Sequence, residues 1–300
     1  MDDSLHQYEP RDPRDAYPAP PFPSQMQGGT GSFLEMKPVP DHGEQSYVGF
    51  GRMKGRRTLI TGGDSGIGRA AAIAFAREGA HVVISCLHPE SADALSTLQL
   101  LRAEGVTAGL IGADNSKEDE CLRLVAETVN QLGGIDVLVN NAGKQVTQEK
   151  IEDITTEQLI QTFSVNVFGT FWITKAALQH MTPGAAIINV TSVQGFDPSP
   201  HLLDYASTKF ALGGFTKGLA AQVASRGIRV NAIAPGPFWT ALQPSGGQTD
   251  EKVRHFGEKS AFGRPGQPAE IAPAFVFLAT SESLYMTGET IGVTGGSPIA

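Results

Sequence analysis

Short apolar segments alternate with longer amphipathic segments along the chain from about residue 56 onward. The short segments are rich in β-branched residues, which predicts strands near residues 57–61, 81–85, 107–112, 136–140, 185–190, 228–233 and 290–293. The longer segments predict helices near residues 66–78, 90–104, 117–132, 156–180, 204–226 and 268–280. Repeated strand–helix units of this kind imply a doubly wound, seven-stranded parallel α/β sheet with helices on both faces.

The first 54 residues follow a different pattern. Eight of the 19 prolines fall in the first 40 residues, and few long apolar side chains accompany them, so this stretch cannot build a core of its own. We predict a proline-rich N-terminal extension over residues 1–54 and one folded domain over residues 55–300. The extension is either a disordered tail, a ligand for a polyproline-binding partner, or an arm lying along the domain or a neighbouring subunit. The candidate anchors of such an arm are Phe22, Phe33, Leu34, Tyr47 and Phe50.

Composition narrows the class of protein. An apolar content of 40% and a charged content of 18% are typical of a soluble globular protein, and the formal net charge of −8 argues against nucleic acid or an anionic membrane as a partner. The apolar runs are too short to span a bilayer, and the acidic N-terminus has no apolar signal region. Cys86 and Cys121 form neither a disulfide framework nor a metal cluster. We therefore expect a cytoplasmic protein without a bound metal.

Tyr205 and Lys209 stand four residues apart in a predicted helix. Positions i and i+4 lie on one helix face, so the phenol and the ammonium can point into one site. Ser192 follows a buried strand, and in open α/β sheets ligands bind outside the carboxyl ends of the strands. The trio indicates a proton-transfer site. A Tyr and a Lys at this spacing also arise by chance, so the interpretation depends on a dinucleotide site in the same chain.

The segment TLITGGDSGIGRAAAIAFAREGA predicts a strand, a glycine-rich turn and a helix. Gly62, Gly66 and Gly68 let the backbone turn tightly and approach a pyrophosphate, while the helix N-terminus supplies free N–H groups and the positive end of its dipole. A P-loop does not fit, because Arg69 and Ala70 stand where Lys and Ser or Thr are required. The turn therefore indicates a dinucleotide site.

The end of the second strand bears on which dinucleotide binds. An NAD site usually has an acidic residue there for the ribose hydroxyls, whereas this chain has Cys86, Leu87 and His88. With no carboxylate to repel a 2′-phosphate, the sequence favours NADP(H). NAD(H) stays open, because a strong basic clamp is also missing. Arg69 and His88 are candidate phosphate contacts, although His88 before Pro89 is equally consistent with an exposed turn.

With these motifs, the chain resembles the short-chain dehydrogenase/reductase family over roughly residues 55–297. The family's glycine motif is matched by residues 61–68, its NNAG motif by residues 140–143 and its PG motif by residues 235–240. The chain is similar to bacterial NADP-dependent aldehyde reductases and glucose/ribitol-dehydrogenase-like proteins, which carry a similar extension ending in a segment like PDHGE, residues 40–44 here. The resemblance implies a single-domain Rossmann fold and favours an ordered arm.

The resemblance also carries the family's functional residues onto this chain. It implies four catalytic residues, Asn166, Ser192, Tyr205 and Lys209. Asp114 would contact the adenine, and Thr240 would contact the nicotinamide amide. The expected cofactor-binding residues are Gly62, Asp64, Ser65, Gly66, Ile67, Gly68, Asp114, Asn115, Asn141, Ala142, Gly143, Tyr205, Lys209, Pro235, Gly236, Phe238 and Thr240.

Each expected catalytic role follows from hydride transfer between a nicotinamide and a carbonyl or alcohol carbon. Tyr205 is the general acid/base, which requires the phenol pKa to fall from about 10 to about 7. Lys209 lowers that pKa in a partly desolvated cleft and holds the nicotinamide ribose. Ser192 orients and polarises the carbonyl oxygen. Asn166 positions Lys209 through a water molecule, or else is a polar packing group inside a helix.

Substrate recognition is less readable. By family placement, Gln194, Phe238, Trp239 and the Gly-rich stretch 241–263 should border the pocket, with that stretch acting as a lid. Gln145 and His201 are candidates for hydrogen bonds to a polyol or sugar, and His201 is equally suited to cap the next helix. The motifs specify the reaction and leave the substrate open.

The sequence predicts a cytoplasmic oxidoreductase that transfers a hydride between NADP(H) and a carbonyl or alcohol substrate, either an aldehyde, a ketone or a polyol, without nucleic-acid or membrane partners. The alternatives are a tailoring ketoreductase for a secondary metabolite and a catalytically silent dinucleotide-sensing scaffold. The resemblance implies a homotetramer in which residues 156–180 and 204–226 pack between subunits. The side chains that either serve that interface or form an ordinary core face are Ala206, Leu212, Phe215, Leu219 and Val223.

Overall fold

The computed structural model describes residues 7–299, so the first six residues of the predicted extension and the last residue of the chain lie outside the described residues. All seven predicted strands are present and parallel, in the order β3-β2-β1-β4-β5-β6-β7. The doubly wound α/β prediction is therefore confirmed. The strands are β1 Arg57–Thr61, β2 His81–Cys86, β3 Ala108–Gly112, β4 Val137–Asn140, β5 Ala186–Val190, β6 Arg229–Pro235 and β7 Thr290–Val293.

The predicted helices are present, with one interruption and one addition. The helix predicted over residues 156–180 is divided by a π-helical turn at Ser164–Phe168. The addition is a short helix at Asp250–Arg254, inside the stretch expected to form a lid. The helices are α1 Gly66–Arg77, α2 Ala92–Ala103, α3 Glu118–Leu132, α4 Thr156–Phe163, α5 Gly169–Ala177, α6 Leu203–Val223, α7 Asp250–Arg254 and α8 Pro268–Ala279.

The sheet is buried on both faces, which explains why its strands are continuous apolar runs. One face packs against α1 and α8 around residues such as Ile60, Phe75 and Phe275. The other packs against α3, α5 and α6 around Leu59 and Leu138. No helix among residues 7–299 is long and apolar enough to cross a membrane.

Helix α6 contributes more to the subunit's own core than its sequence revealed. Ala206, Leu212 and Val223 are buried within one subunit, and Leu219 packs against the core face that contains Val223. Ala206, Leu212 and Val223 therefore fit the prediction of an ordinary core face and not that of a subunit interface. Phe215 remains only partly buried and stacks against Phe171 of α5, with ring centroids 4.4 Å apart.

The described part of the N-terminal extension lies against the domain. Phe22 and Met36 are buried with Trp239, whose indole Nε1 donates a 2.8 Å hydrogen bond to the Pro38 carbonyl oxygen. Phe33 and Tyr47 are also buried, as expected of anchors. Leu34 and Phe50 are not anchors, since 49% and 66% of their surfaces are exposed. Phe33 and Leu34 are consecutive in a single helical turn, which buries only one of two adjacent side chains.

Two carboxylates hold the second half of the extension. Glu78 at the end of α1 accepts hydrogen bonds from the Tyr47 hydroxyl, the Phe50 amide, and the backbone and guanidinium of Arg52. Burial alone would raise the pKa of Glu78, but these donors lower it to about 2. Glu44 in turn pairs with the buried guanidinium of Arg69 at 3.1 Å. Charged side chains therefore supply the hydrogen bonds that hold this half of the extension, in place of the bonds of a strand or helix.

Candidate active site

A cleft of about 1020 Å³ opens at the carboxyl ends of strands β1 to β6. Of the expected catalytic and cofactor-binding residues, all line this cleft except Gly68 and Asn166. Those that line it are Gly62, Asp64, Ser65, Gly66, Ile67, Asp114, Asn115, Asn141, Ala142, Gly143, Ser192, Tyr205, Lys209, Pro235, Gly236, Phe238 and Thr240. The parallel sheet brings them together because the carboxyl ends of its strands share one edge.

The glycine-rich turn joins β1 to α1 at the floor of the cleft. Gly66 opens α1 with φ +52°, a left-handed conformation that favours glycine. Gly68 faces the turn itself, and a Cβ there would overlap the carbonyl oxygen of Gly62. Gly68 therefore permits close packing of helix against strand, which explains why it does not line the cleft.

Side-chain hydrogen bonds lock the NNAG segment to this turn. The Asn141 amide nitrogen donates to the carbonyl oxygens of Thr61 and Gly62, both at 2.9 Å. The Thr61 hydroxyl accepts from the backbone N–H groups of Asn141 and Ala142, both at 3.0 Å. The ends of β1 and β4 are thus fixed relative to each other before any ligand binds, which is the preorganisation that a binding site needs.

Ser192, Tyr205 and Lys209 meet in a buried corner of the cleft. Tyr205 and Lys209 extend from α6, and the Lys209 ammonium lies 5.5 Å from the centre of the Tyr205 ring. The same ammonium donates a 2.8 Å hydrogen bond to the Val190 carbonyl oxygen, at the end of β5. Ser192 is hydrogen-bonded to the Tyr205 hydroxyl, and its own hydroxyl accepts from the Gln194 amide at 3.1 Å.

Burial dominates the ionisation of this corner. It raises the pKa of Tyr205 to about 12, and the hydrogen bond with Ser192 offsets only part of that shift. It lowers the pKa of Lys209 to about 8. Burial therefore acts on the phenol in the direction opposite to the expected fall of its pKa toward about 7.

Asn166 lies in the π-helical turn between α4 and α5 and is fully buried. Its carboxamide accepts from the Lys144 N–H at 2.7 Å and donates to the Lys144 carbonyl oxygen at 2.9 Å and to the Thr208 hydroxyl at 3.0 Å. It therefore contacts the residue after NNAG and the residue before Lys209 directly. Neither helical periodicity nor spacing signals such a turn, so the interruption was missed from sequence.

The far end of the cleft carries mostly acidic and neutral groups. Asp114 accepts hydrogen bonds from Ser116 and lies 3.5 Å from the Lys117 ammonium; these contacts outweigh burial and lower its pKa. Burial, together with the nearby Asp93 charge, raises the pKa of Asp64 to about 6. Burial also raises the pKa of Cys86 to about 12, so the end of β2 presents a neutral thiol.

One of the two candidate phosphate contacts does not reach the cleft. Arg69 is buried against the N-terminal extension, where it pairs with Glu44, donates to Thr97 and stacks on the Phe33 ring. The sequence could not reveal this, because its partners come from distant segments. His88 does line the cleft, with Glu90 3.6 Å from its ring.

At the opposite end, the cleft is bordered by Gln145, Gln194, Phe238 and parts of the stretch 241–263. Gln145 donates to the Gly247 carbonyl oxygen at 2.6 Å, which ties that stretch to the sheet. Trp239 and His201 do not line the cleft, contrary to expectation. Trp239 is fully buried beneath the extension, and His201 lies beside Glu149.

The cleft fits a dinucleotide. Gly143 separates Asn166 from Lys209, and a Cβ there would lie 3.6 Å from both the Asn166 carboxamide oxygen and the Lys209 ammonium, so the missing side chain keeps the approach to Lys209 open. The glycine-rich turn and the start of α1 provide a phosphate-binding geometry in the same cavity.

Comparison with known proteins agrees with this geometry. The family model described as Enoyl-(Acyl carrier protein) reductase matches residues 62–297. The oxidoreductase YhxD of Bacillus subtilis is 54% identical over 93% of this chain and 94% of its own length. NADPH-dependent aldehyde reductase 1 of Arabidopsis thaliana is 42% identical over 88% of this chain and 93% of its own. A short-chain dehydrogenase from Burkholderia cenocepacia, crystallised with NADP, superposes with a TM-score of 0.76 at 31% identity, covering 82% of this chain and 99% of that one.

The fold and the cleft are those of an oxidoreductase with a single Rossmann-type domain. The chain belongs to the short-chain dehydrogenase/reductase family.

Proposed function

We propose that the protein transfers a hydride between NADP(H) and a carbonyl or alcohol carbon of an aldehyde, ketone or polyol. The observation that carries this proposal is the meeting of Ser192, Tyr205 and Lys209 in one buried corner of a cleft that also contains the glycine-rich turn. A nicotinamide bound in the cleft would supply or accept the hydride. The protein's own residues manage the proton and the orientation of the substrate oxygen.

The roles follow from the chemistry of each group. Ser192 donates a hydrogen bond to the carbonyl oxygen and polarises it, and Tyr205 gives that oxygen its proton as the carbon is reduced. Burial raises the phenol pKa to about 12, so Tyr205 carries its proton at neutral pH, the form in which it can donate to the substrate oxygen. Lys209 holds positive charge beside the ring and binds the nicotinamide ribose. Asn166 keeps the Lys144 backbone and Thr208 in place around this corner.

The preference for NADP(H) rests on the end of β2. Cys86 presents a neutral thiol there instead of the carboxylate that would repel a 2′-phosphate, and His88 lies beside it on the cleft wall. The NADPH-dependent relative and the NADP-bound structural neighbour support the same choice. Asp114 and Asn115, at the end of β3, would border the adenine, and Thr240 the nicotinamide amide.

The direct test is oxidation of NADPH and of NADH, followed by nicotinamide absorbance, over a panel of aldehydes, ketones and sugars. We expect faster turnover with NADPH, and loss of turnover in Tyr205→Phe, which keeps the ring and removes only the hydroxyl. Absence of turnover with every substrate and both cofactors would refute the enzyme assignment and favour a silent dinucleotide-sensing scaffold. Rejection of small aldehydes with acceptance of polycyclic ketones would favour a tailoring ketoreductase.

We further propose that the protein is a cytoplasmic homotetramer whose chain divides at residue 54 into extension and domain. Exposed aromatic side chains support the assembly. Among them are Phe168 just before α5, Phe171 on α5 and Phe210 on α6. Two free buried cysteines suit a reducing compartment. Sedimentation at micromolar concentration tests the assembly, and a monomer there would contradict it.

A further inference from the structure

The N-terminal extension enters the nucleotide cleft. The loop Gly28–Ser32, here called the arm loop, contributes Gly29, Thr30, Gly31 and Ser32 to the cleft lining. Gln27 closes this loop, since its carboxamide accepts from the Ser32 N–H at 2.6 Å and donates to the Ser32 carbonyl oxygen at 3.1 Å. The arm loop is therefore a shaped element before a ligand arrives.

Both ends of the arm loop are fixed beside the glycine-rich turn. At one end, the Ser32 hydroxyl and the Phe33 N–H donate to the two carboxylate oxygens of Asp93, at 2.7 and 2.8 Å. Asp93 belongs to α2, whose Thr97 hydroxyl donates to the Asp64 carbonyl oxygen in the glycine-rich turn. Asp93, the first anchor, is thus connected through α2 to the glycine-rich turn, which would face the nucleotide phosphates.

The other end rests on the segment that follows β6. The Gln27 N–H donates to the Pro244 carbonyl oxygen at 3.0 Å, and a Cβ on Gly31 would lie 2.9 Å from the Ala241 carbonyl oxygen. The adjoining Thr240 is the residue that a Cβ on Gly66 would meet, at 3.1 Å. The arm loop and the glycine-rich turn therefore both lie against the same short segment, residues 240–244, which contributes to the cleft lining.

The arm loop offers unused hydrogen-bond donors where the cleft is short of positive charge. Within residues 7–299, the N–H groups of Gly29 and Thr30 and the Thr30 hydroxyl donate to no protein group, and Thr30 is exposed. Successive free N–H groups in a glycine-rich loop bind anions. The lysines of the lining are Lys144 and Lys209, against acidic side chains at Glu35, Asp64, Glu90, Asp93 and Asp114. A pyrophosphate entering such a cleft needs neutral donors.

We propose that the arm loop is a second phosphate-binding loop, which faces the glycine-rich turn and binds the pyrophosphate of the dinucleotide from the opposite side through the Gly29 and Thr30 amides and the Thr30 hydroxyl. This rests on the proposed function, because it assumes that a nicotinamide dinucleotide occupies the cleft. The extension is then part of the active site, and cofactor release requires the arm loop to move.

The first test compares Thr30→Glu with Thr30→Gln in the full-length protein, by NADPH fluorescence titration at low and high salt. The two side chains are similar in size and differ in charge. A carboxylate beside the pyrophosphate should raise the NADPH dissociation constant about tenfold at low salt, with a smaller effect at high salt. The amide loses the hydroxyl contact but adds no charge, so it should raise the constant less, and to the same extent at both salt concentrations. Equal affinities for wild type and Thr30→Glu would overturn the proposal.

A second pair tests the position of the loop. Gly31 has φ +74° and no room for a Cβ, whereas Gly28 has open space around it and no such backbone constraint. Gly31→Ala should raise the NADPH dissociation rate severalfold in stopped-flow displacement, and Gly28→Ala should not. If Tyr205→Phe binds NADPH and both pairs behave like wild type, the arm loop proposal alone fails. If the wild type binds neither NADPH nor NADH, the proposed function fails and this proposal with it.

Discussion

The two walls of the cleft are built by different physical means. The wall formed by β1 to β6 carries its functional residues at the ends of strands that are hydrogen-bonded to their neighbours along the sheet. A second part of the lining, residues 29–32 and Glu35, comes from the N-terminal extension and is called the extension wall here. The extension contains one helical turn at Phe33–Glu35 and no strand among its described residues. The extension is bonded to the domain through both backbone and side-chain groups. Asp93 and Pro244 hold it beside the cleft, and Arg77, Glu78 and Trp239 hold it elsewhere.

This difference follows from composition. A proline has no backbone N–H, so the proline-rich part of the extension, which ends at Pro40, is poorly suited to a sheet ladder. Residues 41–54 contain no proline and are held largely by charged side chains of the domain. Bonds to charged acceptors are about twice as strong as neutral ones, and Glu78 collects several of them. The sheet wall should therefore be insensitive to the protonation of any one carboxylate. The attachment of the extension should depend on the protonation of single carboxylates such as Glu78.

The largest expected effect lies at Tyr205 on helix α6, which packs against the sheet. Tyr205→Phe removes the proposed proton donor and keeps the ring. If Tyr205 is the general acid, kcat/KM should fall about 1000-fold while the NADPH dissociation constant stays unchanged. Steady-state kinetics and fluorescence titration measure the two quantities. Tyr285→Phe, at a fully exposed tyrosine, is the matched control. A variant with residual activity near wild type would show that another group supplies the proton.

The next prediction is a change that affects the extension and leaves the sheet unaffected. Glu78→Gln removes a buried charge that holds Tyr47, Phe50 and Arg52, and should destabilise the attachment of residues 47–54 by about 3 kcal/mol. Hydrogen exchange should rise in that segment while β1 and β4 stay protected. Glu127→Gln, which breaks an exposed pair with Arg123 on α3, should cost under about 1 kcal/mol. Equal exchange changes in both walls would contradict the distinction.

A smaller effect tests which wall selects the cofactor. Cys86→Asp places a carboxylate at the end of β2 and should shift the ratio of kcat/KM for NADPH over NADH by about 30-fold toward NADH, through repulsion of the 2′-phosphate. Cys86→Ser keeps a neutral group and should leave the ratio within about threefold. If the aspartate leaves the ratio unchanged, the 2′-phosphate is not recognised from the end of β2.

Lowering the pH should weaken the attachment of the extension before it affects the sheet. Hydrogen bonds from His42 to Glu44 and from Arg52 to Glu78 offset burial and lower the pKa of each carboxyl from 4.5 to about 2. A carboxyl with a lowered folded-state pKa stabilises the fold above its unfolded pKa, and that contribution is lost as pH falls toward the folded value. Between about pH 5 and about pH 2, limited proteolysis should therefore cut the extension before the sheet. In Glu78→Gln, the part of this pH dependence that belongs to residues 47–54 should disappear.

The regular elements and the strand-end residues of the cleft were predictable because their signals are local, and the family resemblance supplied the other expected site residues. A buried parallel strand reads as a short apolar run, and the residue after it necessarily lies at the carboxyl edge of the sheet. Two site residues, Gly62 and Asn141, directly follow such a strand. Ser192 lies two residues after one, and Pro235 ends one. The π-helical turn at Ser164–Phe168 was missed, since it keeps the amphipathic pattern of an ordinary helix.

The errors concern residues whose partners are distant in sequence. Arg69 was considered for a phosphate and instead pairs with Glu44, while Trp239 was assigned to the pocket and is buried under Phe22 and Pro38. Leu34 and Phe50 have the composition of anchors but face outward. In each case the sequence supplies the side chain's chemistry without its direction.

By itself, the sequence determined the order of strands and helices, the glycine-rich turn, and the types of group that gather at the strand ends, because each depends on contacts within one strand–helix unit. Only the tertiary structure decided that the extension closes one side of the nucleotide cleft, that Asp93 and Pro244 hold the arm loop, and that burial raises the pKa of Tyr205. Those outcomes depend on long-range packing and on desolvation, which arise only when distant segments exclude water together.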